Sequence, residues 1–181
     1  REQLAITLTS EQGKSLKDSY AEIEECYQLF EINSELNIDE FVDEYKGTKD
    51  FKVVTKRVPL GVCALITPWN YPVFTAIQKM CPAIMTGNTV VLKPSPYTPL
   101  TSLILGKIFK NIFPDGVFNV ITGLDGGALS GVLQLGKFIT NHPKVAKISF
   151  TGSTATGRKI MSAATTSFKR ITLEMGGNDA A

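Results

Sequence analysis

The sequence predicts an α/β fold, a parallel sheet of about five strands with helices on both faces, preceded by amino-terminal helices and a hairpin strand. Three observations predict it. From residue 60 onward, short apolar runs rich in β-branched residues alternate with longer helical stretches. Each run is soon ended by Gly, Pro or Asn, as buried strands are. Before residue 50 the pattern is different, with acidic residues spread along an amphipathic helical period.

The elements follow in order. Residues 1–50 read as a helical segment, in which Glu22, Glu24, Glu25, Glu31 and Glu35 form the solvated face of a helix whose apolar stripe includes Ile23, Tyr27 and Phe30. Residues 51–59 hold one strand of a hairpin outside the main sheet, because Phe51 to Arg57 alternates apolar and charged side chains. Within residues 60–181, strands are expected at Val62 to Thr67, Thr89 to Leu92, Val117 to Ile121, Lys147 to Phe150 and Ile171 to Leu173. The intervening helices are Val73 to Met85, Leu100 to Ile112, a Leu129 to Phe138 segment and Gly157 to Ala164.

Composition excludes several classes. The 181 residues, 43% hydrophobic and 20% charged, suit one packed domain with appendages and argue against disorder. No apolar run reaches the roughly 18–20 residues of a membrane span, since residues such as Lys79 and Lys107 interrupt every candidate. Arg1 to Thr9 lacks the long apolar core of a secretory signal, and a first residue other than Met points to a piece of a longer chain. Cys26, Cys63 and Cys81 are too widely spaced for a disulfide framework or a C-x-x-C set, which fits a reducing cytoplasm. His142 is the only histidine and, beside Pro143, reads as a loop residue; no metal site is expected.

The net charge of +2 conceals an asymmetry. Residues 1–50 hold 5 basic and 13 acidic side chains, leaving 14 basic and 4 acidic for residues 51–181. The lysines of the basic part are scattered singly without interleaved aromatics, so an anionic small ligand or an acidic neighbouring surface is preferred over nucleic acid.

Ligands of open parallel sheets bind beyond the carboxyl ends of the strands, so the residues after each strand carry the chemistry. They are Thr67-Pro68-Trp69-Asn70, Lys93-Pro94-Ser95, Thr122-Gly123, Thr151-Gly152-Ser153 and Glu174-Met175-Gly176-Gly177. The Gly152 to Gly157 turn follows a strand and opens a helix, where backbone N–H groups and the helix dipole favour a phosphate. It is neither a Walker A loop nor G-x-G-x-x-G, and an unliganded turn is an equal reading. Glu174, the only glutamate after Glu44, is a candidate general base whose pKa desolvation would raise; a cap or a lysine pair is the commoner role. Lys93 ends a buried strand and offers a cation to phosphate or ribose, or is solvated. The Asn70 amide suits a developing oxyanion, but a helix cap before Tyr71-Pro72 is the stronger reading on residues alone.

Together, Thr67-Pro68-Trp69-Asn70, the Gly87 to Ser95 stretch, Thr98-Pro99-Leu100, Phe150 to Thr154 and Leu173 to Asn178 resemble the aldehyde dehydrogenase superfamily. The resemblance is strong from about Pro59 to Ala181 and weaker before, where Leu8 to Lys14 is similar to a segment of that family's early helices. It implies a Rossmann-like, dinucleotide-binding domain over residues 60–181 and an oligomerisation hairpin containing residues 51–59. It also implies oxidation of an aldehyde to a carboxylic acid with NAD or NADP. In such enzymes a cysteine thiolate attacks the aldehyde, hydride passes to nicotinamide and water hydrolyses the thioester. Asn70 would then be the oxyanion donor and Glu174 the base for the hydrolytic water. Thr67, Pro68 and Trp69 would border the cofactor, Lys93 would reach the adenosine ribose, and Ser95 and Pro96 would be cofactor-binding residues beside it. Gly152 and Ser153 would lie by its pyrophosphate and Met175 and Gly176 at the nicotinamide end, with Gly123, Phe150, Thr151 and Gly157 as further cofactor-binding residues. A homodimer or homotetramer is implied for the parent protein.

Three departures matter. Pro96 stands where NAD-preferring relatives commonly have a glutamate, which leaves NAD and NADP both open. The stretch from Gly123 to Asn141 is longer than usual for the family. The family's nucleophilic cysteine lies beyond the region carrying Glu174, and neither Cys26, Cys63 nor Cys81 matches its motif. The chain is therefore expected to be the amino-terminal part of such an enzyme and inactive alone. The alternative is a non-catalytic nucleotide-binding or interaction module built on the same scaffold.

Overall fold

The computed structural model describes residues 1–35, 37, 42–45, 47–48, 50–51, 53–124 and 134–177. Two helices open the chain, Glu2–Gln12 (α1) and Leu16–Ser34 (α2). Gly13 ends α1 in the left-handed region at φ 92°, a conformation that favours glycine, and Ser15 caps α2 by accepting from the Asp18 N–H. A two-stranded antiparallel sheet follows, Val42–Tyr45 (β1) with Val53–Lys56 (β2). The stretch read as helical over residues 1–50 therefore contains a strand, and the alternating Phe51 to Arg57 segment supplies its partner. All of β2 is exposed, so its alternation records hairpin pairing alone.

The main sheet is built from Val62–Ile66 (β3), Thr89–Lys93 (β4), Phe118–Val120 (β5), Val145–Gly152 (β6) and Arg170–Met175 (β7). Its order is β5-β4-β3-β6-β7, with every neighbouring pair parallel. The connecting helices are Pro72–Met85 (α3), Leu100–Lys110 (α4), Leu135–Asn141 (α5) and Thr154–Thr165 (α6). The expected Leu129 to Phe138 helix is placed differently: α5 runs on to Asn141, and residues 129–133 lie outside the described residues.

Helices cover both faces, and β3 shows why its residues form an unbroken apolar run. Cys63 and Leu65 point into a core shared with Val90, Leu92, Val73, Ile77, Met80 and Phe109. Ala64 and Ile66 point the other way, into a core with Ile148, Phe150, Ile139 and Ile160. Successive strand residues face opposite sides, so a strand covered on both must be apolar throughout. Leu4, Ala5, Leu8, Ile23 and Cys26 of α1 and α2 belong to the first core, so these helices pack as part of that layer.

The solvated acidic face expected for α2 is only partly solvated. Glu22 is buried with Ser19, Ile23 and Cys26, whereas Tyr27 and Phe30 of the expected apolar stripe are exposed. The face is set by what the buried carboxylate meets: Glu22 Oε1 accepts from the N–H groups of Val73 (2.9 Å) and Phe74 (3.0 Å) at the start of α3. Glu11 of α1 does the same for α4, accepting from the N–H groups of Leu100 (2.7 Å) and Thr101 (2.9 Å) and from the Thr101 hydroxyl. A carboxylate at a helix start satisfies orphan donors and complements the dipole. Replacing Glu11 with Ala is expected to cost about 1 kcal/mol and to lower Tm by about 2–4 °C in thermal unfolding; an unchanged Tm would contradict the cap.

Candidate functional site

Counting the strands of the main sheet by their position in the chain, the order is third, second, first, fourth, fifth, so the winding reverses between β3 and β6. Ligands of such sheets enter at that reversal, beyond the carboxyl ends. The strand ends are tied into one crest. The Thr67 N–H donates to the Lys93 carbonyl at 3.2 Å, Ile66 lies beside Phe150, Thr151 beside Glu174, and Gly152 beside Met175.

On the β3–α3 loop, Thr67 is buried and its Oγ1 has no hydrogen-bond partner among the described residues. Pro68 is half-buried, and Trp69 and Asn70 are exposed. The helix-cap reading of Asn70 is not what the chain uses. Tyr71 is the N-cap residue and makes no side-chain cap, while Glu22 takes the first N–H groups of α3. The Asn70 carbonyl, in contrast, is held by Lys14 Nζ at 3.1 Å and Gln12 Nε2 at 3.5 Å.

Lys93 is neither solvated nor fully offered to the crevice. It is 2% exposed, its Nζ donates to the Pro94 carbonyl at 3.2 Å, and Gly136 of α5 approaches its Cε. Ser95 is buried and accepts from the Tyr97 N–H at 3.3 Å; Pro96 beside it is half-buried. Gly123 is half-buried, and a Cβ there would stand 2.9 Å from Leu135 Cδ2, so the residue makes room for α5.

The β6–α6 turn is shorter than its sequence predicts. The helix was expected from Gly157, but Ser153 caps it and it begins at Thr154; Ser153 Oγ accepts from the Thr156 N–H at 3.2 Å. Gly157 therefore lies within the first turn of α6, buried, where a Cβ would collide with Met175 Sδ. A Cβ on Gly152 would stand 2.6 Å from Cζ of the buried Phe150. Both glycines serve close packing, and of the residues expected to bind the cofactor at this turn Gly157 and Phe150 are interior. Thr151 and Gly152 are half-buried, while Ser153, Met175 and Gly176 are exposed.

Glu174 is not desolvated as expected, because its side chain is 49% exposed. Thr151 Oγ1 donates to its Oε2 at 2.9 Å, and Lys79 Nζ lies 3.6 Å from its Oε1. Lys79 is the site residue that sequence reading missed, treating it as a mere interruption of an apolar run. Its signal was position: it falls on the buried face of α3, after Thr75 and Ala76. The cysteines offer no nucleophile. Burial pushes the Cys26 thiol up to about 12, with Glu22 adding to the effect, and the Cys81 thiol up to about 11; burial raises Cys63 as well. A groove of about 570 Å³ between α4 and β5, lined by Phe109, Phe113 and Phe118, involves no crest residue.

Burial lowers the pKa of Lys79, against the opposing pull of Glu174 and with a smaller push from Lys147. Between that lowered value and the ordinary 10.5, the unfolded chain holds more protons than the folded one. Stability therefore rises with pH through this window, and below it the buried ammonium costs the fold free energy. Lys79→Met is expected to raise Tm at pH 7, with the gain shrinking as pH approaches 10.5. A pH-independent difference in thermal unfolding would contradict this.

The sequence profile of the aldehyde dehydrogenase family matches residues 1–181. The chain is 39% identical over 178 residues to 4-trimethylaminobutyraldehyde dehydrogenase of Oryzias latipes, covering 98% of this chain and 34% of that protein. It superposes with a TM-score of 0.88 on betaine aldehyde dehydrogenase from Staphylococcus aureus in complex with NAD+, at 34% identity, over 96% of this chain and 34% of that one. An NADP-dependent enzyme of E. coli gives a TM-score of 0.87 at 37% identity, over 98% and 36% of the respective chains. The chain thus spans about a third of the length of these relatives. With the family profile matching the whole of these 181 residues and the fold superposing on solved aldehyde dehydrogenases, the chain belongs to the aldehyde dehydrogenase family.

Proposed function

We propose that this chain is the dinucleotide-binding part of an oxidoreductase that converts an aldehyde to a carboxylic acid with NAD+ or NADP+. The observation that carries the reading is the placement of Asn70 and Glu174. An exposed amide follows β3 and a half-exposed carboxylate ends β7, both on the edge where the winding of the sheet reverses. The residues on that edge suit a dinucleotide. Thr67 Oγ1 is buried without a partner among the described residues, a group that a ligand would satisfy, and Ser153 opens α6, whose dipole favours an anion. Thr67, Pro68 and Trp69 would border the cofactor, Lys93, Ser95 and Pro96 the adenosine ribose, Thr151, Gly152 and Ser153 the pyrophosphate, and Met175 and Gly176 the nicotinamide. Gly123, Phe150 and Gly157 would act from beneath, by packing.

Bound NAD+ or NADP+ supplies the hydride acceptor. The Asn70 amide donates to the oxygen that becomes negative when a thiolate adds to the aldehyde carbon, the kind of donor that stabilises a tetrahedral intermediate. Glu174 takes a proton from the water that hydrolyses the resulting thioester. Thr151 orients its carboxylate, and Lys79 balances its charge from the α3 side. The thiolate is none of Cys26, Cys63 or Cys81, which are buried as thiols, so it comes from residues other than these 181.

The same reading divides the chain into an amino-terminal segment (1–50), a hairpin strand (51–59) and the dinucleotide-binding domain (60–181). It places the protein in the cytoplasm, on the three unpaired cysteines, with an aldehyde as substrate and neither nucleic acid nor membrane as partner. The parent enzyme is a homodimer or homotetramer, joined in part through the β1–β2 hairpin, where Val53 and Val54 are exposed. Trp69, the only tryptophan, reports directly on the crevice. Titration with NAD+ and, separately, NADP+ is expected to change its fluorescence saturably, the tighter ligand being the cofactor used. No response to either from a chain with a folded far-UV spectrum would contradict the assignment.

A further inference from the structure

The loop carrying Asn70 is held by a device outside the sheet. Lys14 lies in the turn between α1 and α2, and its side chain is only 11% exposed; Glu22, one helix turn and a half into α2, has a fully buried side chain. The two form an ion pair. Lys14 Nζ also donates to the Asn70 carbonyl at 3.1 Å and lies 4.0 Å from the centre of the Tyr71 ring. The other oxygen of Glu22 accepts from the N–H groups of Val73 and Phe74. Gln12 completes the arrangement, with Oε1 accepting from the Lys14 N–H at 2.8 Å and Nε2 reaching the Asn70 carbonyl. One buried ion pair thus grips residues 70–74 at both ends.

We infer that Lys14 and Glu22 are positioning residues for Asn70. The inference rests on the reading of Asn70 as donor to the developing oxyanion. Such a donor acts only if its nitrogen stands about 2.7–3.1 Å from the oxygen on which the charge appears, and a misplacement of about 1 Å costs on the order of a hundredfold in rate. Asn70 is exposed and precedes a helix that makes no side-chain cap of its own, and the hydrogen bonds on its carbonyl come from Gln12 and Lys14, 58 and 56 residues away in the chain. The ammonium on its carbonyl fixes the peptide plane after Asn70. The carboxylate on Val73 and Phe74 fixes where α3 starts. A buried ion pair is a poor device for stability alone, because its desolvation opposes its attraction, and fixing one arrangement of the chain is a better-attested use.

Trp69, next to Asn70, makes the clamp measurable without turnover or cofactor. In Lys14→Met, acrylamide quenching of Trp69 is expected to rise about twofold and its fast anisotropy decay to grow, with the far-UV spectrum unchanged. Lys14→Arg, which keeps a cation able to reach both oxygens, is expected to restore the native values. Should the single variant fail to fold because Glu22 is left charged and unpaired, the double variant Lys14→Met/Glu22→Gln removes that charge and keeps an acceptor for Val73 and Phe74. A loosened Trp69 in the double variant supports the clamp. Native quenching and anisotropy in the folded Lys14→Met or double variant overturn it. The reading of Asn70 fails by a separate route: Asn70→Ala leaving kcat of the whole enzyme unchanged would remove the oxyanion role while Trp69 still reported on the clamp.

Discussion

An α-helix begins with N–H groups that have no partner within the helix, and neither α3 nor α4 supplies a side-chain cap of its own. Both starts are satisfied from elsewhere in the chain. Glu22 reaches α3 from α2, and Glu11 reaches α4 from α1. A buried carboxylate is tolerated only when it is paired and hydrogen-bonded, and Lys14 with the α3 N–H groups meets that condition for Glu22. These two contacts satisfy the starts of α3 and α4, and the loop between β3 and α3 ends on the first of them.

The consequence runs through packing to the site. Once the carboxylates are engaged, α1 and α2 must lie against α3 and α4, and their apolar residues close the same core that buries Cys63, Leu65, Val90 and Leu92. On the opposite face, Ile139 and Ile160 of α5 and α6 pack with Ala64, Ile66, Ile148 and Phe150. The sheet is therefore covered on both sides, while the ends of β3, β6 and β7 leave Trp69, Ser153 and Met175 exposed. Close approach at this edge is bought with glycine: Gly152 gives way to the Phe150 ring and Gly157 to Met175.

Much of this was legible in the sequence, for a physical reason. Strands buried on both faces must be apolar without interruption, so β3 and β4 stood out, and the motifs fell where a parallel sheet collects its ligands. What was not legible depends on partners distant along the chain. Glu22 is one acid among several on α2, and only the start of α3, 51 residues away, distinguishes it from its solvated neighbours. Lys79 looked like an interruption because its companion Glu174 lies on β7. The start of α6 was read three residues late because Gly157 resembled a helix-opening turn, whereas its lack of a side chain makes room for Met175.

The central claim is that the edge running from the β3–α3 loop to the end of β7 is one preformed dinucleotide crevice. Mapping backbone and indole N–H chemical shifts with NAD+ and NADP+ in turn tests it most directly. The account predicts that the cofactor perturbs Thr67, Trp69, Asn70, Thr151, Gly152, Ser153, Met175 and Gly176 together, with a single saturation curve. Perturbations confined to the groove between α4 and β5, or independent of one another along the crest, would contradict it.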